Sequence, residues 1–569
     1  MRSTFYGLEI ARSGLYTSQN ELNVTGHNIA NVDTVGYSRQ RLNTAAVPAQ
    51  YLNTQYSLDN RATAGRGVEA LTVDQIRDAF TDAKYRAEAS TTGYWNTKMD
   101  EFYMVEQLFN SALSDDSTAS ASIFNALDAF QTALYALEEN ASSLELRANV
   151  LTKATQLSET FNYTYGKLEE QHENLNSAIE VTVGQINDLA ESIANLNRQI
   201  FGYELSGAKA NDLRDSRNLL LDQLSGLVDT QYYENSKGYL TVTVGGRALV
   251  DGAEYNQLAV NPQGADNQLD ILASADIVRK QYSVVWTDEL GSPSTDPDDA
   301  VNLQSGSLKA YIDLRDGSTQ GNVGIPYAIA QLNELARGIA QEINEVHREG
   351  YTLPFQEADS LGTAGTVRRY PTTEDIANGG TAVTMGINAA TMPDGTEYYP
   401  SVQGIYFFEV GIDGDYSKIT AGNLSVASEI QNNVYLIAAS DERLTVSDEL
   451  NDDGSLNMQR GNNNNLKKIT ALYSNKDALG NADNYASRLK LLVTDIGTQQ
   501  EKIETLESAQ QTRIAAIVEQ RNSISGVSLD EEMTNMVRFT HAYNANARII
   551  TAIDDELDTL INKMGVVGR

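Results

Sequence analysis

Apolar residues recur at every seventh position near both ends of the chain. Leu8, Leu15, Leu22 and Ile29 form one row near the N-terminus, with Ala11, Ser18 and Thr25 between them. Near the C-terminus, Met536, Tyr543, Ile550, Leu557 and Met564 form a second row, interleaved with Met533, Thr540, Ala547 and Ile561. A seven-residue apolar repeat reads as a coiled-coil seam. Such a seam is stable only when another helix covers it, because tertiary packing supplies most helical stability. The two terminal rows are therefore expected to pair with each other, with neighbouring copies, or with both. The expected assembly interface comprises Leu8, Leu15, Leu22, Ile29, Met533, Met536, Tyr543, Ile550, Leu557, Ile561 and Met564.

Proline placement predicts where the other long helices lie. The nine prolines are Pro48 and eight between Pro262 and Pro400, which leaves 49–261 and 401–569 free of helix breakers. Residues 144–205 carry Ile179, Ile186, Ile193 and Ile200 on one heptad position and Leu175, Leu189 and Leu196 on the other. This pattern is compatible with a parallel dimer, but packing within the chain's own bundle is the preferred reading. A shorter helix at about 211–225 folds back after Gly207. Further helices are expected at 77–112, 119–139, 325–347 and 484–524. Gly526 then ends a helix, and Ser528 with Glu531 forms a capping box for the last one, about 528–564.

Strand signals are confined to shorter stretches. Residues 239–250 alternate apolar and polar around Gly245-Gly246, which predicts a hairpin with a two-residue turn. Residues 363–460 are rich in Gly, Asn, Asp and Thr and read as antiparallel strands of an insertion. The expected fold is mainly α with inserted β. Terminal heptad helices pair into a coiled coil, a long helical bundle forms the core, and antiparallel β domains interrupt the middle. The expected units are 1–60 with 525–569 for assembly; 61–230 with 305–350 and 466–524 for the helical core; a β-rich 231–304; and a variable β-rich insertion, 351–465.

Charge sharpens this division. The chain has 77 acidic and 42 basic residues, a formal net charge of −35, which argues against nucleic acid or an anionic membrane as partner. Yet residues 1–44 and 529–569 together carry a net of only about −2. Near-neutral ends can pack against copies of themselves while an acidic body stays solvated. There is no cysteine, which excludes disulfides, thiol catalysis and Cys-based metal sites. No apolar run reaches the ~18–20 residues that span a bilayer, and the N-terminus lacks the features of a cleavable signal peptide.

Candidate chemistry is thin. His172-Glu173-Asn174-Leu175-Asn176 begins like a zinc HExxH helix, but Asn176 stands where the second histidine ligand belongs. Gly65-Arg66-Gly67-Val68-Glu69-Ala70 fits a nucleotide fingerprint in letters only, since no strand precedes it, and reads as a turn into a strand. The four histidines (His27, His172, His347, His541) are scattered and read as helix-surface or interface residues. The acidic clusters 413–415 and 451–454 miss calcium-loop spacing. A carboxylate pair could serve glycoside hydrolysis, but nothing singles one out. No catalytic, cofactor or metal residues are assigned.

The segment after the first seam is more specific. Asn28-Ile29-Ala30-Asn31, then Thr34-Val35-Gly36-Tyr37-Ser38-Arg39-Gln40, resembles the signature of bacterial flagellar axial proteins: rod, hook and hook-associated. Within that family, the Gly36-Tyr37-Ser38-Arg39-Gln40 ending is similar to hook-associated members at the hook–filament junction. The segments starting at Asn211 and Gly306 and the C-terminal Leu529-Asp-Glu-Glu-Met…Ala-Arg resemble the same family. The resemblance implies an extracellular, non-enzymatic structural protein of the flagellum, exported by the type III route without a cleaved signal. Its implied partners are copies of itself, the hook protein, a second junction protein, and an export chaperone at the C-terminal region. No cofactor, nucleic acid or membrane insertion is implied. Alternatives are a hook or filament subunit, or an enzyme or adhesin carried in the insertion.

Overall fold

The longest helices lie in proline-free sequence. The computed structural model describes residues 6–48, 65–110, 123–235, 237–261, 283–288, 291–355, 366–369, 383–386, 389–393, 395, 397–411, 414–447, 461–473, 485–559 and 561. Met564, Asp413 and the 451–454 cluster lie outside the described residues. The helices are α1 (Tyr6–Ala30), α2 (Ala79–Asn110), α3 (Ile123–Glu139), α4 (Leu144–Glu204), α5 (Asn211–Leu227), α6 (Ser307–Asp316), α7 (Ile325–His347), α8 (Ser428–Asn432), α9 (Asn464–Leu472), α10 (Tyr485–Ser525) and α11 (Leu529–Asp558).

The 61-residue α4 is the spine. Ser143 caps it, accepting a hydrogen bond from the Leu146 N–H. Its N-terminal half, through Val150, Leu157, Phe161 and Leu168, shares one apolar core with α2, α3, α7, α9 and α10. Its C-terminal half presents Ile179, Ile186 and Ile193 to a second core, formed with α5 and the strands. All three isoleucines, and Ile200 beyond them, are fully buried within this chain, so the bundle reading of the heptad holds. Gly207, at φ +85°, makes the turn that sends α5 back along α4.

The second core is closed by an antiparallel sheet of β3 (Gln231–Glu234), β4 (Leu240–Val244), β5 (Arg247–Asp251) and β6 (Glu254–Tyr255). Gly245 and Gly246 both have positive φ, as a two-residue hairpin turn of this twist requires. The described part of 351–465 contributes Phe355, Tyr399, Ile405, Phe407 and Phe408 to the same core as α3, α4 and α7.

Two close contacts fix how these parts meet. Gly93 of α2 lies on Gly226 of α5 so closely that a Cβ at position 93 would overlap the Gly226 carbonyl oxygen. Gly93→Val should destabilise the body by at least ~1–3 kcal/mol, because both walls are backbone and cannot yield; urea unfolding checks this. His347, fully buried, is a core residue, not the surface histidine its position suggests. Its Nδ1–H donates to the Ile405 carbonyl at 2.8 Å, and its Nε2 accepts from the Ala438 N–H at 2.8 Å. His172 is buried as well, while His27 and His541 are exposed.

Candidate assembly site

The terminal helices pair with each other, antiparallel. A Cβ at Gly7 would meet Ile553 at 3.2 Å, a Cβ at Gly14 would meet the Asn546 side chain at 2.8 Å, and Asn28 bonds Glu532. The register thus advances by sevens along α1 while it retreats by sevens along α11. The small side chains Ala11, Ser18 and Thr25 are buried at 2–5% exposure, which lets the helix backbones approach closely. The internal contact therefore runs through Gly7, Ala11, Gly14, Ser18, Thr25 and Asn28 rather than through the leucine row. Leu8, Leu15, Leu22 and Ile29 flank that line and are half-buried.

On α11 the matching contact line is Glu532, Phe539, Asn546 and Ile553, flanked by half-buried Tyr543, Ile550 and Leu557. Met533, Met536 and Ile561 stay exposed, at 61%, 37% and 72%. An antiparallel pair meets along one face only. It cannot cover residues a quarter-turn away, whatever their heptad spacing.

Where α1 ends, the signature residues build a buried polar clasp. Asn31 turns back to donate to the His27 carbonyl, Thr34 donates to Asn31, and exposed Ala30 closes the last turn. Gly36 then adopts φ +85°, with Leu219 of α5 only 3.2 Å from where a Cβ would stand. These two features send the chain into β1 (Gln40–Ala46), which pairs antiparallel with β2 (Val68–Gln75). Gly65–Gly67 is thus a turn into a strand, with no nucleotide-binding helix after it.

Asn28, 1% exposed, is the pivot of the clasp. Its Oδ1 accepts from the Tyr37 hydroxyl at 2.7 Å and the Gln40 N–H at 3.0 Å. Its Nδ2 donates to the Gln40 carbonyl at 2.9 Å and to Glu532 at 3.1 Å. Both amide hydrogens and both oxygen lone pairs are used, the full capacity of an asparagine. One residue so ties α1, β1 and α11 together.

The next three signature residues fasten the clasp to the body. Ser38 donates to Asp215 of α5 twice, from its N–H at 3.0 Å and its hydroxyl at 2.7 Å. Arg39 spans Glu531 and Glu532, each at 2.7 Å, and its N–H donates to the Ser525 carbonyl at the end of α10. Ser528 caps α11, but Glu531 turns to Arg39 instead of closing the capping box. Gln40 donates to Asp212, and Asn211 donates to Gln40 and to Val73 of β2.

Beneath lies a chain of ion pairs in which each charge has an opposite neighbour. Arg77 holds Asp82 and Asp215; Arg521 of α10 holds Asp82 and Asp222; Arg86 holds Asp222. Burial pushes the Asp215 carboxyl above its ordinary range, opposed by Ser38 and Arg77. Burial and the surrounding carboxylates push the Tyr37 phenol up, so Tyr37 stays a hydrogen-bond donor.

The signature residues other than exposed Val35 thus have local roles, and the segment beginning at Asn211 proves to be their receptor. The partners that reasoning from the seam missed are Asp215, Glu532, Arg77, Asp82, Asp222 and Arg521. Glu532, Asp215 and Asp222 lay inside segments already resembling the family; Arg77, Asp82 and Arg521 carried no local signal. Among the described residues, no group of three or more His, Cys, Asp or Glu side chains is placed to hold a metal ion, and no helix is long and apolar enough to cross a membrane.

Comparison with known proteins agrees with this layout. Residues 107–361 match the family described as flagellar hook-associated protein FlgK helical domain. Residues 8–37 match the flagella basal body rod protein family, and 518–563 the C-terminal family of flagellar basal body rod FlgEFG proteins. The flagellar hook-associated protein 1 of Bacillus subtilis is 29% identical across 100% of both chains. That of Escherichia coli is 26% identical over 97% of this chain and 98% of its own. The flagellar hook junction protein FlgK from Burkholderia pseudomallei shares the fold, with a TM-score of 0.52 at 16% identity over 78% of this chain and 100% of that one. With matches to axial-protein families at both ends and to the helical-domain family between them, the chain is similar from end to end to flagellar hook-associated protein 1 of other bacteria.

Proposed function

We propose that this protein is a structural component of the bacterial flagellum and forms the junction layer between hook and filament. The observation that carries this reading is the clasp. The residues that resemble the axial signature do not surround a reactive group; they lock two terminal helices into one unit and fix that unit to a large body. That is the mechanical requirement of a subunit that must pass load from its neighbours into its own core. The unit formed by 1–60 with 525–569 serves assembly, and the acidic body faces solvent.

The full-length relatives support a place in the flagellum. An extracellular location, export without a cleaved signal, contact with the hook protein and a second junction protein, and an export chaperone at the C-terminal region follow from this reading. Near-neutral termini on a strongly acidic chain support it further, since only the ends can stack without repulsion. No catalytic step is assigned.

Electron microscopy of cells lacking the protein, with flagellin assayed in the medium, tests the function. Bare hooks and shed flagellin monomers are expected. Attached filaments of normal length would refute the junction role.

A further inference from the structure

Lys98 of α2 is the only buried lysine among the described residues, at 9% exposure. A buried ammonium ordinarily rests against a carboxylate. Among the described residues, none pairs with Lys98 directly. Its Nζ donates instead to two neutral oxygens, the Tyr94 hydroxyl at 2.9 Å and the Asn322 carboxamide Oδ1 at 3.4 Å.

The local structure holds these groups in place. Tyr94 and Lys98 stand one turn apart on α2, where i and i+4 side chains meet. Asn322 belongs to a hairpin of Ser318–Thr319 and Asn322–Val323, and its N–H donates to the Thr319 hydroxyl at 3.2 Å. A Cβ at Gly317 would lie 2.7 Å from the Asn322 carbonyl oxygen, so the close approach there requires glycine. Tyr94 in turn donates to the Asp313 carboxylate of α6 at 2.9 Å, and Lys309 holds the other oxygen of that carboxylate at 2.8 Å. Amine, phenol and carboxylate thus form a proton path, with the Asn322 carboxamide at its head.

Burial lowers the Lys98 pKa, opposed by Asp313 and reinforced by Lys502 and Lys309. Desolvation makes a lysine nucleophilic because it favours the neutral amine. Burial and the Asp313 carboxylate push the Tyr94 phenol up, so Tyr94 can pass a proton without resting as a phenolate.

We infer that Lys98 and Asn322 form an intramolecular isopeptide bond once the chain folds. The neutral Lys98 amine attacks Cγ of Asn322. It gives one proton to Tyr94, which passes its own to Asp313. The bond from Cγ to the amide nitrogen then breaks, that nitrogen takes a proton back along the same path, and ammonia leaves. One C–N bond forms and one breaks with no change of oxidation state, so the folded chain needs no co-reactant. Contact between the two groups supplies the effective concentration that an amine and an amide lack in water.

The bond joins α2 to the hairpin that leads into α7. Because α2 packs against α10, which runs on into α11, load entering from the terminal unit reaches the core through covalent bonds as well as through packing. The closed loop contains all of α4, which removes much freedom from the unfolded chain.

Mass spectrometry of the purified full chain tests this. The protein should weigh less than its sequence by one ammonia, and trypsin should release a branched peptide with Lys98 uncut and joined to Asn322. Folded protein of unreduced mass with no branched peptide would overturn the inference, and this reading uses the unaltered chain, so it does not depend on a variant folding. Lys98→Arg and Asn322→Ala should each restore the full mass. Loss of ammonia that persists in Lys98→Arg would mean that Asn322 cyclises without the lysine, and would overturn the bond. In newly synthesised chain, Tyr94→Phe should slow ammonia loss at least about tenfold, because it cuts the proton path. An unchanged rate would overturn that path.

Discussion

Asn28→Asp is expected to detach the terminal helices from the body without unfolding the body itself. The substitution is nearly isosteric, but it replaces a donor NH2 with an oxygen that faces the Gln40 carbonyl and the Glu532 carboxylate. Two favourable bonds become two repulsive contacts at a site with almost no solvent. Leaving a buried charge without a partner costs about 3–5 kcal/mol. Glu532 is half of a pair with Arg39, so the new carboxylate competes for that arginine and strains the α10–α11 corner as well. Limited proteolysis should release fragments near both termini while the α2–α7 core remains resistant. Hydrogen exchange should rise in α1 and α11 and stay unchanged in α4. Uniform protection across the variant would show that Asn28 does not hold the unit.

The second large effect is on acid stability. Burial, with Arg147 close by, holds His347 well below its ordinary value, at about 4, although the bond to the Ile405 carbonyl works the other way. The folded pKa is depressed, so the unfolded chain binds the proton more readily. Stability from neutral His347 is complete above the unfolded value near 6.5 and is lost as pH falls from there to about 4. The loss amounts to roughly 3 kcal/mol at 1.4 kcal/mol per unit. The structural consequence is local. Protonated Nε2 can no longer accept from Ala438, one residue from the Ile437 carbonyl that Arg147 holds at 2.6 Å. The histidine and the arginine grip this segment together, so protonation should loosen it first.

His347→Gln supplies one donor and one acceptor that do not titrate. Melting temperature of the native protein should fall between pH 6.5 and 4 more steeply than that of this variant. Other groups contribute to both curves and cancel in the comparison. Buried His172 pulls in the same direction, and Asp215, raised by burial, pulls the opposite way in the carboxylate range. Parallel curves would show that His347 does not carry the acid sensitivity.

Much of this architecture was written locally. The capped start of α11, the return of the chain at Gly207 and the Gly245-Gly246 hairpin follow from side-chain chemistry and backbone freedom within a few residues. The heptad of Ile179, Ile186, Ile193 and Ile200 announced a buried helix face but was silent on what would bury it. The axial signature was legible as a family resemblance before any of its contacts were known. The sequence also held the clasp's other half, in the segments starting at Asn211 and Leu529, without revealing that the halves meet.

What the sequence determined by itself were the helices, their apolar rows and the contrast between neutral ends and an acidic body. These depend on spacing and composition, which any stretch of chain carries alone. Only the tertiary structure decided which row faces inward. Gly7 and Gly14 admit the Ile553 and Asn546 side chains of α11 where leucine would hold them off, so the closest contact forms along the small residues and the larger ones are left at its edge. Only the tertiary structure paired Asn28 with Glu532 and Ser38 with Asp215, because residues 504 and 177 positions apart become neighbours through the path of the chain, and no local pattern encodes that path.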